Sequence, residues 1–242
     1  MDRDARFLAV IPARGGSTGL PGKNRRRLRG ISLVARAVRI ARRVEEIRWI
    51  LVSTDDEAIA REAEEAGASV PFFRPPELSG GEVPMVRVLR HALGWFQDHV
   101  NEPCHGLVLL QPTSPMRRSA HVREAILRFR KAREDDPQTA AVHTVSPVPR
   151  AFRPGRMRRL DRDSNGLLRV GAPSFPHDEE TDLYYRNGAA IVLDPERIDA
   201  LTLHEGRVVP YVLDRALVSI DSMYDLLFIE HCAGELEPEP WE

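Results

Sequence analysis

Apolar and polar positions follow one another in blocks along this chain, and the period of the pattern changes from block to block. A continuous apolar run over residues 7–11 predicts a first strand buried on both faces. Val34, Ala37, Val38 and Ala41 then recur at helical spacing behind Ser32, a residue suited to capping a helix. Residues 49–53 predict a short strand. Thr54-x-x-Glu57 has the form of a capping box, and the helix it opens is expected to close at Gly67. Residues 69–73 predict the next strand, and residues 85–96 a helix with Val86, Leu89, Leu93 and Phe96 on one face. A strand over 106–110, a helix from about Ala120 with Val122, Ala125, Ile126 and Phe129 inside, and a strand over 140–145 continue the alternation. Residues 189–193, 208–213 and 217–220 predict further strands, and residues 223–232 a last helix. Strands that alternate with helices predict an α/β fold, a mostly parallel sheet with helices on both faces. Ligands of such sheets bind at the carboxyl ends of the strands.

The alternation breaks over residues 146–181, which are rich in Pro, Arg and Asp. Within them, residues 156–160 and 167–170 flank Asp163-Ser164-Asn165-Gly166, a hairpin-turn sequence. The segment is expected to be an inserted hairpin arm, either a surface ornament or a contact with another subunit. No repeat and no second domain is visible, so residues 1–242 are expected to form one domain. The acidic, Pro-containing tail from Glu235 is expected to fray.

Candidate chemistry concentrates in the loop after the first strand, residues 11–24. It holds four glycines, Pro12, Pro21, Arg14 and Lys23. The prolines lack an N–H and the glycines leave the backbone loose, so this stretch is neither helix nor central strand. Its backbone N–H groups and two cations suit a polyanion such as phosphate; the plainer alternative is a glycine-rich turn with solvated cations. A Walker loop is excluded, because Gly22-Lys23 is followed by Asn24 and Ser17 stands where its first glycine belongs. Gly15-Gly16-x-x-Gly19 likewise lacks the order of a dinucleotide fingerprint.

Composition narrows the classes further. Charged residues make up 29% of the 242 and hydrophobic ones 42%, as in ordinary globular proteins. A net charge of −1 argues against a general nucleic-acid or membrane-surface binder. No apolar run approaches the ~20 residues of a membrane span, and the polar N-terminus does not read as a signal peptide. Cys104 and Cys232 form no metal or redox spacing, which fits a reducing cytoplasm. Lysine occurs only at 23 and 131 in an arginine-rich chain, so Lys23 stands out. The run Arg25-Arg26-Arg27 extends an electropositive mouth or is a solvated face. H-E-x-x-H and G-x-S-x-G motifs are missing, which removes support for zinc chemistry and for a serine hydrolase.

The loop as a whole, Ile-Pro-Ala-Arg-Gly-Gly-Ser-Thr-Gly-Leu-Pro-Gly-Lys-Asn, resembles the signature of the CMP-sialate synthetases, the acylneuraminate cytidylyltransferases. Four further stretches resemble motifs of that family: Leu110-Gln111-Pro112-Thr113-Ser114-Pro115-Met116-Arg117, Arg74-Pro75-Pro76-Glu77-Leu78, Asn187-Gly188-Ala189, and Val218-Ser219-Ile220-Asp221. The resemblance implies a Rossmann-like nucleotidyltransferase sheet, CTP as substrate, Mg²⁺ as cofactor, and a homodimer joined through the 146–181 arm. It implies nucleotide binding by Ala13, Arg14, Gly15, Gly16, Ser17, Lys23, Asn24 and Arg74, with Arg14, Lys23 and Asp221 serving catalysis. It implies acceptor binding by Gln111, Asn187 and the Tyr185–Arg186 region, and a metal on Asp221. The implied partners are CTP and an acidic small molecule, first a nonulosonic acid, with no nucleic acid and no membrane.

Four positions depart from the family pattern. Thr18 stands for a lysine, Met85 for a nucleotide-contacting serine, Tyr185 for an arginine and Ser219 for the first of two metal aspartates. They fit an altered acceptor, and a small phosphonate such as phosphonoformate is the second candidate. A nucleotide-binding protein that has lost catalysis, and a nucleotide other than CTP, are further alternatives. One carboxylate with triphosphate oxygens and water can still satisfy Mg²⁺.

Overall fold

The computed structural model describes residues 5–17, 19–153, 158–162, 168–173, 183–201 and 207–232. The first strand, β1 (Phe7–Pro12), is buried at every position. After the glycine loop come β2 (Arg27–Leu28) and β3 (Ile31–Ser32), a two-rung hairpin whose turn places Arg29 at φ 50 and Gly30 at φ 80. The apolar pattern gave no sign of this pair. Helix α1 (Leu33–Ala41) is capped by Ser32, whose Oγ accepts from Ala35 N at 3.3 Å. There follow β4 (Ile47–Ser53), α2 (Glu57–Glu65), α3 (Met85–His99), β5 (Gly106–Leu109), α4 (Ser119–Asp135) and β6 (Thr139–Pro147). The chain continues through β7 (Arg158–Arg162), β8 (Leu168–Pro173), β9 (Tyr184–Leu193), β10 (Arg207–Val212) and α5 (Met223–His231).

Six strands form one sheet in the order β10-β6-β9-β5-β1-β4. β1 runs parallel to β4 and β5, and β10 parallel to β6; β9 alone is antiparallel to its neighbours. The mostly parallel sheet is therefore as expected. Residues of β1 alternate between two cores, as a pleated strand covered on both faces must. Phe7, Ala9 and Ile11 pack with Val34, Val38, Ile59, Val122 and Phe129 from α1, α2 and α4. Leu8 and Val10 pack on the other face with Leu89, Leu93 and Phe96 of α3.

A third apolar cluster lies at the carboxyl end of the sheet. Leu20 of the glycine loop, Met116, Ala189, Leu217, Ile220, and Leu226 and Ile229 of α5 meet there, all buried. Each large side chain buried in this way contributes roughly 1.5–3 kcal/mol. The loops that carry the candidate chemistry thus share one apolar floor.

Four local expectations are corrected. Residues 69–73 form no strand, only isolated bridges from Leu51 to Ser69 and from Thr54 to Phe73, because Pro71 between them has no ladder donor. Residues 217–220 belong to no strand; the Tyr185 and Ser219 hydroxyls and one backbone bond, from Ile220 N to Thr113 O, hold them instead. The cap of α2 is Asp56, not Thr54: its Oδ1 accepts from Ala58 N and Ile59 N, while Thr54 Oγ1 accepts from Asp56 N. Helix α4 begins at Ser119, against an expected start at about Ala120 with Ser119 as its cap, and Arg118 holds the cap position instead.

β7 and β8 pair antiparallel as a sheet of their own, where the hairpin is expected. Its turn at residues 163–166, Thr18 and the acidic tail from Glu235 lie outside the described residues. Among the described residues, no helix is long and apolar enough to cross a membrane.

Candidate active site

The glycine loop leaves β1 at its carboxyl end and wraps around the start of α2. Ala13 is buried and its N–H donates to Ser53 O of β4 at 2.9 Å, so the loop begins as one more rung of the sheet. Gly15 N–H donates to Asp55 Oδ1 at 2.8 Å. A Cβ on Gly15 would stand 2.8 Å from Asp56 Oδ2 and 2.9 Å from Asp56 Cβ, so only glycine fits this close approach. Gly16 faces open space and Ser17 is half-buried. The loop then folds back on itself: Asn24 is buried, and its Nδ2 donates to Arg14 O at 2.9 Å. Asn24 therefore fixes the loop's shape.

The cations of the loop face two different neighbours. The Arg14 guanidinium lies over Gly81, where a Cβ would be 3.2 Å from Nη1. Lys23 Nζ meets Asp221 Oδ1 at 2.9 Å, with the lysine side chain 15% exposed and the aspartate 74%. Gly19 abuts the same residue, since a Cβ there would be 2.6 Å from Asp221 O. The glycine loop and the C-terminal segment therefore touch at two points, one through side chains and one through backbone.

Arg74 is buried behind the loop. Its Nε donates to Ser53 Oγ at 3.0 Å and its other end to Ser53 O, while its own N–H donates to Thr54 O at 2.7 Å. Burial lowers its pKa from the ordinary arginine value; the Asp55 carboxylate opposes this and the Arg14 charge adds to it. Beside it a cavity of about 720 Å³ is lined by Asp55, Phe73, Arg74, Ser79 and Gly80. Phe73 presents its ring to solvent there, 56% exposed. Met85 opens α3 and is half-buried.

The second group of residues lies on β9 and the loop after β5, two strands and one strand from β1. β9 is antiparallel, so its first residues emerge at the end where β1, β5 and β6 finish. Its pairing with β6 is interrupted between His143 and Val145, and Gly188 sits in the irregular stretch at φ 68. A Cβ on Gly188 would lie 2.7 Å from Ser114 Oγ and 3.5 Å from Gln111 Oε1. The bulge thereby brings the Gln111 loop against β9. Asn187 is buried and its amide is used at both ends: Nδ2 donates to Ser146 Oγ at 2.8 Å, and Oδ1 accepts from Ala189 N at 3.0 Å. Arg186 is exposed beside it. The Tyr185 hydroxyl accepts from Leu217 N at 3.0 Å and donates to Leu217 O at 3.1 Å.

Arg117 has no role assigned by the sequence motifs and is central here. It is 2% exposed, and one terminal nitrogen donates to Gln111 O and to Gly188 O, the latter at 3.4 Å. Burial pushes its pKa down to about 9. A turn arginine at the end of a Pro-rich motif reads as solvated; only the tertiary fold shows it as a strut. Asp55, which meets the first loop N–H, carries no signal in the sequence either.

At the C-terminal segment, Ser219 Oγ and Ile220 N both donate to Thr113 O, at 3.3 and 2.8 Å. The helix cap is made by the next residues. Ser222 and Asp225 form a capping box, and Asp225 Oδ2 accepts from Asp221 N, Ser222 N and Ser222 Oγ. Burial acts to raise the Asp225 pKa, but these bonds and the Lys23 charge bring it below the ordinary value. The cap is complete without the Asp221 side chain, which is left to Lys23 and solvent. A solvent-facing carboxylate beside a phosphate-type loop suits Mg²⁺, which takes hard oxygens and keeps several waters. Among the described residues, no group of three or more His, Cys, Asp or Glu forms a fuller cage.

The sheet and its loops have the architecture of a nucleotidyltransferase. A CMP:2-keto-3-deoxy-manno-octonic acid synthetase complexed with CTP superposes with a TM-score of 0.69 at 15% identity, over 95% of this chain and 99% of that one. A 4-diphosphocytidyl-2C-methyl-D-erythritol synthase from Anaerococcus prevotii gives 0.60 at 12% identity, over 96% and 97%. The cytidylyltransferase family profile matches residues 8–215, and the chain belongs to that family. A CMP-N,N'-diacetyllegionaminic acid synthase of Legionella pneumophila is 31% identical over 222 residues, covering 89% of this chain and 90% of its own. An N-acylneuraminate cytidylyltransferase of Escherichia coli is 28% identical over 223 residues, 91% of this chain but 50% of its own length. The resemblance read from the motifs is thereby borne out, and the chain spans half the length of the second relative.

Proposed function

We propose that this protein transfers CMP from CTP to a nonulosonic acid and releases pyrophosphate. The observation that carries the reading is the junction of the glycine loop with the C-terminal segment, Lys23 on Asp221. The relatives named above support the acceptor class.

In this reading the triphosphate lies over Arg14, Gly15, Gly16 and Ser17, with Lys23 on its oxygens. The cytidine occupies the cavity beside Arg74, where the exposed Phe73 ring offers a stacking face. Gln111 and Arg186 bind the acid, while Asn187 and Asn24 keep their loops in shape. The anomeric hydroxyl oxygen attacks the α-phosphorus, the bond from that phosphorus to the bridging oxygen breaks, pyrophosphate departs and the hydroxyl proton passes to solvent. Such transfers depend on positioning and on neutralising charge as the leaving group forms, which Lys23 and Arg14 supply. Asp221 would hold Mg²⁺, which when bound neutralises phosphate charge. The β7–β8 hairpin serves in this reading as the contact of a homodimer.

The test is product analysis by mass spectrometry after incubation with CTP, Mg²⁺ and single acids: N-acetylneuraminate, legionaminate, pseudaminate, Kdo and phosphonoformate. A CMP adduct of a nine-carbon acid is the expected result. An adduct of phosphonoformate alone would overturn the acceptor class, and CTP binding without any adduct would overturn catalysis.

A further inference from the structure

Residues 213–221 cross the site outside every strand, yet they are tied down along their whole length. Leu213 N donates to Val145 O at 2.8 Å, and Ser146 Oγ donates to Arg215 O at 2.6 Å. Tyr185 closes a two-way pair with the Leu217 backbone. Ser219 Oγ and Ile220 N converge on Thr113 O. Leu213, Leu217 and Ile220 are buried in the apolar floor. Asp221, the last residue, ends on Lys23.

Between the backbone bonds of Leu213 and Ile220, side-chain hydroxyls do here what a strand ladder would do with backbone groups. Ser146 and Tyr185 are cross-strand partners in β6 and β9, so two hydroxyls address the segment from one rung. Tyr185 and Ser219 are also two of the positions where this chain departs from its family's pattern. Both make a specific anchor: the Tyr185 hydroxyl fixes the segment to β9, and the Ser219 hydroxyl fixes it to the Gln111 loop. Since Leu217 takes the Tyr185 hydroxyl both as donor and as acceptor, that group is committed to backbone and only one lone pair is left over.

We infer that Tyr185 and Ser219 are positioning residues, which hold residues 217–221 between the acceptor loop and the glycine loop and so set where Asp221 stands against Lys23. The inference rests on the role proposed above for Lys23 and Asp221. It assigns Tyr185 to the nucleotide side of the reaction through Asp221, although the residue lies on the acceptor side of the sheet.

The test is a double-mutant cycle with Tyr185→Phe, Ser219→Ala and Asp221→Asn, read as kcat and as KM for the accepted acid and for CTP. Tyr185→Phe is expected to lower kcat about tenfold, the loss of two hydrogen bonds, with the KM of the acid within about twofold of wild type. In the Asp221→Asn background it should lower kcat by less than about twofold, because the residues act through one another. Ser219→Ala should behave alike but more weakly. Fully additive effects, or a raised KM for the acid in both backgrounds, would overturn the inference and make Tyr185 an acceptor contact. Amide hydrogen exchange provides a readout without substrate: Tyr185→Phe should speed exchange at Leu217 and Ile220 together. Faster exchange at Leu217 alone, or no change, would also overturn it. A wild-type protein that modifies no acid would sink the proposed function, while the exchange would still report on the anchoring.

Discussion

Lys23 Nζ and Asp221 Oδ1 lie 2.9 Å apart across 198 positions of sequence. The pair joins the loop after the first strand to the residue just before the last helix. The aspartate side chain is far more exposed than the lysine. With the carboxylate open to solvent, the pair contributes about 0–1 kcal/mol to stability.

Asp221→Asn keeps the size of the side chain and removes its charge. Because the capping box of α5 is formed by Ser222 and Asp225, the melting temperature should hardly move. Turnover should fall, and the Mg²⁺ concentration that gives half-maximal rate should rise. Rates measured across a Mg²⁺ series check this; an unchanged metal profile would return Asp221 to a merely electrostatic partner of Lys23.

Arg117→Met should destabilise the protein by roughly 2–4 kcal/mol, because Gln111 O and Gly188 O both lose a buried charged donor. Urea unfolding of wild type and variant measures the difference. The variant should also bind the acceptor more weakly, since the strut sets the approach of the Gln111 loop to the β9 bulge.

His143 makes stability depend on acidity. It is buried on β6, and burial together with the nearby Arg186 charge brings its pKa down from 6.5 to about 4. Between those values the unfolded chain takes up a proton that the folded protein refuses. Stability contributed by the neutral ring is complete above about pH 6.5 and is lost as the pH falls towards 4, each unit being worth about 1.4 kcal/mol. Melting curves from pH 7 to 4 should show this decline, and His143→Asn should flatten it. An equal slope in the variant would assign the acid sensitivity to other groups.

Much of this architecture is written locally. The apolar run over residues 7–11 becomes β1, and the spacing of Val34, Ala37, Val38 and Ala41 becomes the buried face of α1, because period and burial coincide there. Phe72 and Phe73 suggest a strand, but a neighbouring proline leaves only bridges. Thr54 and Asp56 both suit a cap, and nothing local chooses between them. The glycine loop suggests a polyanion site through its composition alone, four glycines with Arg14 and Lys23. Its neighbours are less legible: Asp221 is named with it by motif, but the direct pair with Lys23, and the approach of Asp55 and Gly81, come through the fold alone. Tyr185 and Asn187, placed at the acceptor by their motif, have their polar groups bonded to protein, a fact that depends on the Leu217 backbone and the Ser146 side chain nearby.

Pyrophosphate release by Lys23→Ala, measured with CTP, Mg²⁺ and the acid that wild type accepts, decides whether the glycine loop cradles phosphate. The side chain lies in a loop and pairs with an exposed carboxylate, so the variant should fold and melt as wild type does. If Lys23 neutralises charge on the departing phosphates, release should drop at least about 100-fold. Release within about threefold of wild type, the size of a surface effect, would contradict the phosphate-cradle reading of the loop.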